Sequence, residues 1–449
     1  MEKMICGDMQ LDAFCARVFD AAKEAGVAPA EIMASSSESF SVRVREGALA
    51  DYKVSDRFSL TLRGCAGGRI GTASTQALDE ESIGMLIEGV KESAALIETD
   101  EQDEILPPDA HYGEVINYSD AVGAISAEER IALAMDIDRR MHGADSRVKP
   151  DAAIVAASEE TVSLKNTLGL DLSHRSNMIY AYASCLAREN ESAATGFKLL
   201  WGYDRGAVSA QAVADGCAQD ALSKLGAGRM ASGAYPVVIK NTAMADLLST
   251  FAGVFSADNA QKGLSLLAGR EGQRIAGEAV TLVDDPLMPW GMASAPFDRE
   301  GAATYKKNVI EGGVLTTLLH NRKTAKKAGC KTTGNAAGAG RVAPSNFYIA
   351  PGEAAADALL ENMGDGLYVT EVSGLHAGAN AVSGDFSLLA RGFEVAGGKP
   401  VRAVEQITVA GNFYRLLEDV TAAADDLIFD GSPVGCPTVM VKALSVAGE

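Results

Sequence analysis

The spacing of apolar residues changes character twice in the N-terminal part of this chain, and that fixes the kind of fold it can adopt. Leu11, Phe14, Val18, Phe19 and Ala22 recur every three or four positions, which places them on one face of a helix. Gly26 and Pro29 end it. The period then drops to two. Phe40, Val42 and Val44 alternate with polar neighbours, as do Phe58, Leu60 and Leu62, the signature of strands with one buried face. Arg69 to Ala73 reads as a further strand, and Ile83, Leu86, Ile87, Val90, Ala94 and Ile97 return to helical spacing. A helix, a meandering antiparallel sheet and a second helix are predicted, an α+β module.

Residues 98–112 carry six acidic side chains and a Pro-Pro, which reads as a solvated connector. Ser126 with Glu129 three positions on is a capping box, and it opens a helix predicted to reach about Gly143. From Ala152 to Trp201 the pattern is strand-like, with Val162 and Leu164 on one face and Met178, Tyr180 and Tyr182 sharing another. A helix over Ser209–Leu225 closes this region, and Gly226-Ala227-Gly228 marks a boundary. Beyond it come a short buried strand at Tyr235–Ile239 and a helix over 242–255. The remainder reads as strands and turns, at Val280–Val283, Asn308–Leu319, Asn346–Ile349, Gly366–Val372, Phe386–Phe393, Ala403–Ala410 and Thr438–Val446. Glycine is frequent there, as a curved sheet or barrel requires. The expected domains are an N-terminal module over 1–112, a second α+β module over 113–228 and a β-rich, barrel-like domain over 229–449.

No apolar run approaches the ~20 residues of a membrane helix, and the N-terminus shows no signal-peptide pattern, so a cytoplasmic protein without membrane contact is expected. A formal net charge of -20 argues against direct nucleic-acid binding, where affinity comes from Lys and Arg displacing counterions. Basic substrates or a basic partner face suit it better. The seven cysteines, Cys6, Cys15, Cys65, Cys185, Cys217, Cys330 and Cys436, form no C-x-x-C and read as reduced thiols. His111, His142, His174, His320 and His376 are too scattered for a short two-histidine metal helix.

Few segments offer chemistry. Gly64-Cys65-Ala66-Gly67-Gly68 lacks the Lys-Ser/Thr of a phosphate loop and links two strands, so it reads as a turn. Cys436, in Gly-Cys-Pro, reads as a small buried hydrophobe rather than a nucleophile. The carboxylate pairs Asp284-Asp285 and Asp425-Asp426 fall on neighbouring positions, which point to opposite faces of a strand. They are expected to be turn caps and solvated edges. The densest candidate is 371–388, EVSGLHAGANAVSGDFSL. Gly374 and Gly384 permit close backbone approach, and His376, Asn380 and Asp385 supply polar groups for a peptide groove or an interface. The plainer account is a tight hairpin with a structural histidine.

Several motifs occur together in order. Residues 255–263, FSADNAQKG, lead into Gly269-Arg270, Gly272-Gln273 and Ile275-Ala276. Then follow Val283-Asp284-Asp285-Pro286, Phe297-Asp298, Glu300-Gly301 and Thr333-Gly334-Asn335. Gly374-Leu375-His376-Ala377-Gly378-Ala379-Asn380, Ser383-Gly384-Asp385-Phe386-Ser387 and Leu444-Ser445-Val446-Ala447-Gly448 complete the series. Taken together, across nearly the whole chain, this resembles the TldD/PmbA family, historically labelled modulator of DNA gyrase, and its PmbA (TldE) branch in particular.

The resemblance carries implications for the site. TldD-like members bear a His-Glu-x-x-x-His helix and a distant Cys that resemble a zinc site, with the Glu as base. The matching stretch here, Leu247–Val254, contains no His, Glu, Asp or Cys, and Asp246 sits just before it. The partner cysteine is expected near Ala422–Ala424 and is absent. The resemblance therefore implies a subunit with no catalytic residue, no metal ligand and no cofactor of its own. Its expected partner is a TldD-like zinc chain, and the assembly would act on unfolded peptides held as extended strands. The alternatives are a stand-alone peptide-binding or regulatory homodimer, or an independent hydrolase using Cys436 or His376.

Overall fold

A computed structural model of the chain describes residues 8–98 and 104–449. Cys6 and part of the acidic connector, 99–103, lie outside them; Glu104–Tyr112 forms no helix or strand. The chain makes two compact units. One comprises residues up to Phe40, Lys53–Tyr112 and Ala157–Asn177; the other comprises Ser41–Tyr52, Gly113–Ala156 and Met178–Glu449.

The predicted opening order is present: α1 (Asp8–Glu24), β1 (Ala30–Arg45), β2 (Ala48–Ala66), β3 (Arg69–Thr75) and α2 (Glu80–Ala95). The helical stripes do what their spacing requires. Phe14, Val18 and Ala22 of α1 and Ile83, Leu86, Ile87 and Val90 of α2 share one core with Ile32, Leu60 and Leu62. Asp79 caps α2 by accepting the Ser82 N–H at 2.8 Å. Of the glycine-rich stretch 64–68, Gly67-Gly68 make the expected turn joining β2 to β3, while Gly64-Cys65-Ala66 end β2 in register with Arg69–Gly71.

Next come α3 (Asp120–Gly123), α4 (Ala127–Ala144), β4 (Val148–Asn166), β5 (Asp171–Glu189), β6 (Ser192–Gly202) and α5 (Ala210–Ser223). The capping box of α4 forms as expected: Ser126 Oγ accepts the Glu129 N–H at 3.2 Å and the Glu129 carboxylate accepts the Ser126 N–H at 2.8 Å. The sheet order is β3-β2-β1-β4-β5-β6. In β5 the buried face is Ile179, Ala181, Ala183, Cys185 and Ala187, while Tyr180 and Tyr182 stack on the other face.

The remaining elements are β7 (Gly233–Ile239), α6 (Asn241–Phe251), α7 (Ala257–Gln261), β8 (Leu282–Asp284), β9 (Lys307–Glu311), β10 (Val314–Leu315), α8 (Arg322–Ala328) and β11 (Phe347–Ile349). They continue with α9 (Ala356–Met363), β12 (Gly366–Ser373), α10 (Leu375–Gly378), β13 (Asp385–Ala396), β14 (Lys399–Asn412), α11 (Phe413–Asp419), β15 (Val420–Ala423), β16 (Val434–Gly435) and β17 (Val439–Ala447). The barrel is real and closed. β14, β13, β12, β7 and β17 neighbour one another in that order, and β17 returns to β14 through Thr408–Ala447, Val409–Val446 and Ala410–Ser445. Only the β12–β7 pairing in this ring is parallel. A separate sheet runs β10-β9-β8-β11-β16.

Three features depart from the sequence reading. Helices α8, α9 and α11 stand where strands and turns were expected. The single strand expected over Asn308–Leu319 is broken by Gly312-Gly313 into β9 and β10. The third is Asp284, which is not at a solvated edge.

Candidate functional site

The segment singled out in the sequence is the connection between β12 and β13, whose ladder pairs Ser373 with Leu389. Gly374 enters it in the left-handed region (φ +83°), and its carbonyl accepts the Ala377 and Gly378 N–H groups, making the single turn α10. Asn380 organises the return. Its Oδ1 accepts the Val382 N–H at 2.9 Å and the Ser383 N–H at 3.1 Å, and its own N–H donates to the Asp385 carbonyl at 2.8 Å. Its carbonyl accepts the Gly384 N–H at 2.9 Å. Asn412 Nδ2 donates to Asp385 Oδ1 at 2.9 Å and to the Ser383 carbonyl at 2.8 Å. The Asn412 and Ser383 bonds hold the Asp385 carboxyl below its usual range. The loop thus brings Asn380, Gly384 and Asp385 together, while His376 stands exposed on the one-turn helix beside them. Asn380, Asp385 and His376 are all exposed, and the first two also shape the loop through their hydrogen bonds.

The Val283-Asp284-Asp285-Pro286 and Thr333-Gly334-Asn335 motifs meet inside the protein. Asp284 is fully buried. Its Oδ2 accepts from Lys307 Nζ at 2.7 Å and Asn335 Nδ2 at 2.8 Å; its Oδ1 accepts the Ser345 N–H at 2.6 Å and Oγ–H at 2.7 Å. Lys307 Nζ also donates to Asn335 Oδ1 at 3.2 Å and lies 4.8 Å from the centre of the Tyr305 ring. This corrects the expectation of a solvated carboxylate pair. β8 lies in the middle of its sheet and all three of its residues are buried, so both faces are covered and strand alternation does not put Asp284 in water. Asp285 is buried as well, with Lys306 Nζ at 3.1 Å. Asp298 of the Phe297-Asp298 motif is buried too, and its carboxylate accepts the Glu300, Ala302 and Ala336 N–H groups. Of the second pair, Asp425 is exposed, while Asp426 is half-buried and binds Thr438 and Asn241. Cys436 is buried as expected, and burial pushes its thiol up.

A cleft of about 270 Å³ opens between α5 and the outer face of the barrel, lined by Lys224, Lys240, Tyr368, Arg391, Phe393 and Glu405 among others. Lys224 bridges Asp220 and Glu371, each at 2.9 Å. Arg391 lies 3.6 Å from Glu405 and 4.0 Å from Glu371. Burial, followed by the nearby Asp426 and Asp357, raises the Tyr368 phenol to about 12. Asp246 on α6 is raised to about 6; desolvation is the largest cause, followed by Asp430 and Glu371. Asp246 and Glu371 both fall in segments that the sequence singles out, but local spacing gives no sign that Lys224, just past α5, meets Glu371 of β12.

Family models described as PmbA/TldA metallopeptidase C-terminal domain, domain 1 and central domain match residues 232–448, 30–94 and 120–228. This chain belongs to the PmbA/TldD family, in its PmbA/TldE-like branch. Metalloprotease PmbA of Escherichia coli O157:H7 is 26% identical over 435 residues, covering 94% of this chain and 92% of the relative. A Thermotoga maritima structure described as a modulator of a DNA gyrase aligns with a TM-score of 0.92 at 32% identity, over 97% of this chain and 100% of its own. TldE from Thermococcus kodakarensis shares the fold, with a TM-score of 0.86 at 20% identity over 97% and 100%. Among the described residues no helix is long and apolar enough to cross a membrane.

The family's description implies a metal, and the residues at the matching helix do not fit one. A zinc ion needs nitrogen, sulfur or carboxylate donors converging on a point. Leu247, Leu248, Phe251 and Val254 offer hydrocarbon and are all buried in the barrel-side core. Phe251 stacks on Phe413 and lies 6.3 Å from Phe386. Ala422–Ala424 lie on and just beyond β15 and present only methyl groups. Among the described residues no three His, Cys, Asp or Glu side chains gather as a metal site.

Proposed function

We propose that this chain is the metal-free subunit of a TldD/TldE-type zinc metallopeptidase assembly that degrades or matures unfolded peptides in the cytoplasm. One observation carries the reading: the helix matching the family's metal-binding helix is committed to a hydrocarbon core through Leu247, Leu248 and Phe251. A TldD-like partner supplies the zinc and the base. This chain contributes shape, charge and hydrogen-bonding groups around the peptide. The loop of Gly374, His376, Asn380, Gly384 and Asp385 is the proposed groove or interface element. Its backbone is fixed by internal hydrogen bonds, so His376 is offered to a partner from a preformed support.

The test is elemental analysis of the purified chain, followed by a peptide-cleavage assay with and without a TldD-like chain. The expected result is no stoichiometric zinc in this chain alone, and chelator-sensitive cleavage only in the mixture. Near-equimolar zinc together with cleavage by the isolated chain would overturn the proposal. Peptide binding by a homodimer that ignores the zinc chain would replace it with the stand-alone reading.

A further inference from the structure

Gly196 is a point of close approach between α5 and β6. A Cβ at this position would lie 2.2 Å from the Cys217 carbonyl oxygen and 2.7 Å from the Ala221 nitrogen. A larger residue would push α5 away. Cys185 is the partner of Gly196 in the β5–β6 ladder, so the helix delivers Cys217 onto Cys185. The distances agree. Cys185 Sγ lies 3.4 Å from the Cys217 carbonyl oxygen. Cys217 Sγ lies 3.4 Å from the Ala183 carbonyl oxygen and 3.5 Å from that of Gly196, which flank Cys185 along and across the ladder. Both thiols are free and buried, 2% and 0% exposed, and each points at a backbone carbonyl of the other residue or of its ladder neighbours.

We propose that Cys185 and Cys217 form a resting dithiol that a two-electron thiol oxidant closes to a disulfide, fastening α5 to β5. The bond would act on the cleft described above, because α5 carries Asp220, and Lys224 just beyond its end holds Glu371 of β12. With an azodicarboxamide as oxidant the step balances. One sulfur adds to the N=N bond and the second displaces the nitrogen. Two S–H bonds break and one S–S bond forms. The two electrons and two protons leave on the hydrazine product. A dithiol reductant reverses it by thiol–disulfide exchange. Because both sulfurs are covered, reaction proceeds through local lifting of α5, so closure is slower than modification of the exposed Cys330.

The test treats the full chain with diamide under native conditions, blocks the remaining thiols with iodoacetamide after denaturation, and maps peptides without reduction. The expected product is a peptide pair linked through Cys185 and Cys217, lighter by two hydrogens than the sum of its reduced parts and undone by dithiothreitol. The two residues are 32 positions apart, so the cross-link constrains the unfolded chain. The thermal midpoint then rises by roughly a few degrees. In Cys217→Ala, diamide gives neither the link nor the rise. Recovery of Cys185 and Cys217 as alkylated thiols from oxidised wild type, or their linkage to other cysteines, overturns the proposal. The wild-type map decides by itself should the variant not fold.

Discussion

The ring of Phe251 lies 4.6 Å from that of Phe413, with their planes inclined by only 13°, and both are fully buried. Phe251 ends α6 and Phe413 opens α11, so this stack ties the helix that follows β7 to the helix that follows β14. Phe251→Ala is expected to destabilise the protein by about 3–5 kcal/mol through lost burial and a residual cavity. Urea unfolding measures it. Phe251→Leu, which refills most of the space, is expected to cost less than half as much.

Asp284 and Lys307 form a second such tie, with exposed fractions of 0% and 6% for their side chains. Removing one partner leaves the other charge buried without its counter-ion. Lys307→Met is expected to lower stability by about 3–5 kcal/mol. The double variant Asp284→Asn with Lys307→Met is expected to cost less than the sum of the single changes, because the second substitution removes an already orphaned charge. A double-mutant cycle from chemical unfolding reads this directly.

Asp246 gives a pH-dependent prediction. Its folded pKa, raised to about 6 from the ordinary value of 3.8, means that folding favours the protonated carboxyl. The ionised form therefore weakens the fold at pH 7 and above, and that penalty fades as pH falls through about 6 towards 4. Asp246→Asn is expected to be more stable than wild type at pH 8, with the difference closing by pH 4. Asp246 retains solvent contact, which keeps the effect small. Thermal midpoints measured across that range test the sign.

The two left-handed glycines of the β12–β13 connection are expected to respond differently to alanine. Gly374 has φ +83° with open space where a Cβ would sit, so Gly374→Ala costs about 1 kcal/mol of backbone strain. Gly384 has φ +82° and would place a Cβ 2.6 Å from Tyr414 Cδ2. Gly384→Ala is expected to cost about 2–4 kcal/mol, since the strain is joined by a clash with a packed ring. Comparing the two unfolding midpoints separates conformational strain from steric exclusion.

Much of this molecule was legible in its sequence because the relevant signals are local. The period switches gave α1, β1, β2, β3 and α2, and Ser126 with Glu129 gave the start of α4. Helix α11 was legible in principle. Asn412 caps it by accepting the Tyr414 and Arg415 N–H groups, but the cap residue is also the last residue of the long strand β14, so local pattern does not separate the two elements. The buried site of Asp284 was not legible. Its partners Lys307, Asn335 and Ser345 lie 23, 51 and 61 positions away, and a strand covered on both faces has no polar side for alternation to reveal.

The sequence by itself determined the helices and strands whose apolar spacing or caps are local, such as α1, β1, β2, β3, α2 and the start of α4, and where glycines permit turns. It also determined that the stretch Leu247–Val254 carries no metal-binding side chain, since donor chemistry is a property of residue type. The tertiary structure decided everything that depends on distant segments meeting. It closed the barrel through β14 and β17, brought α5 onto β5 and β6, and buried Asp284 with its lysine. Such meetings depend on long-range packing and loop closure, which a local pattern of side chains does not encode.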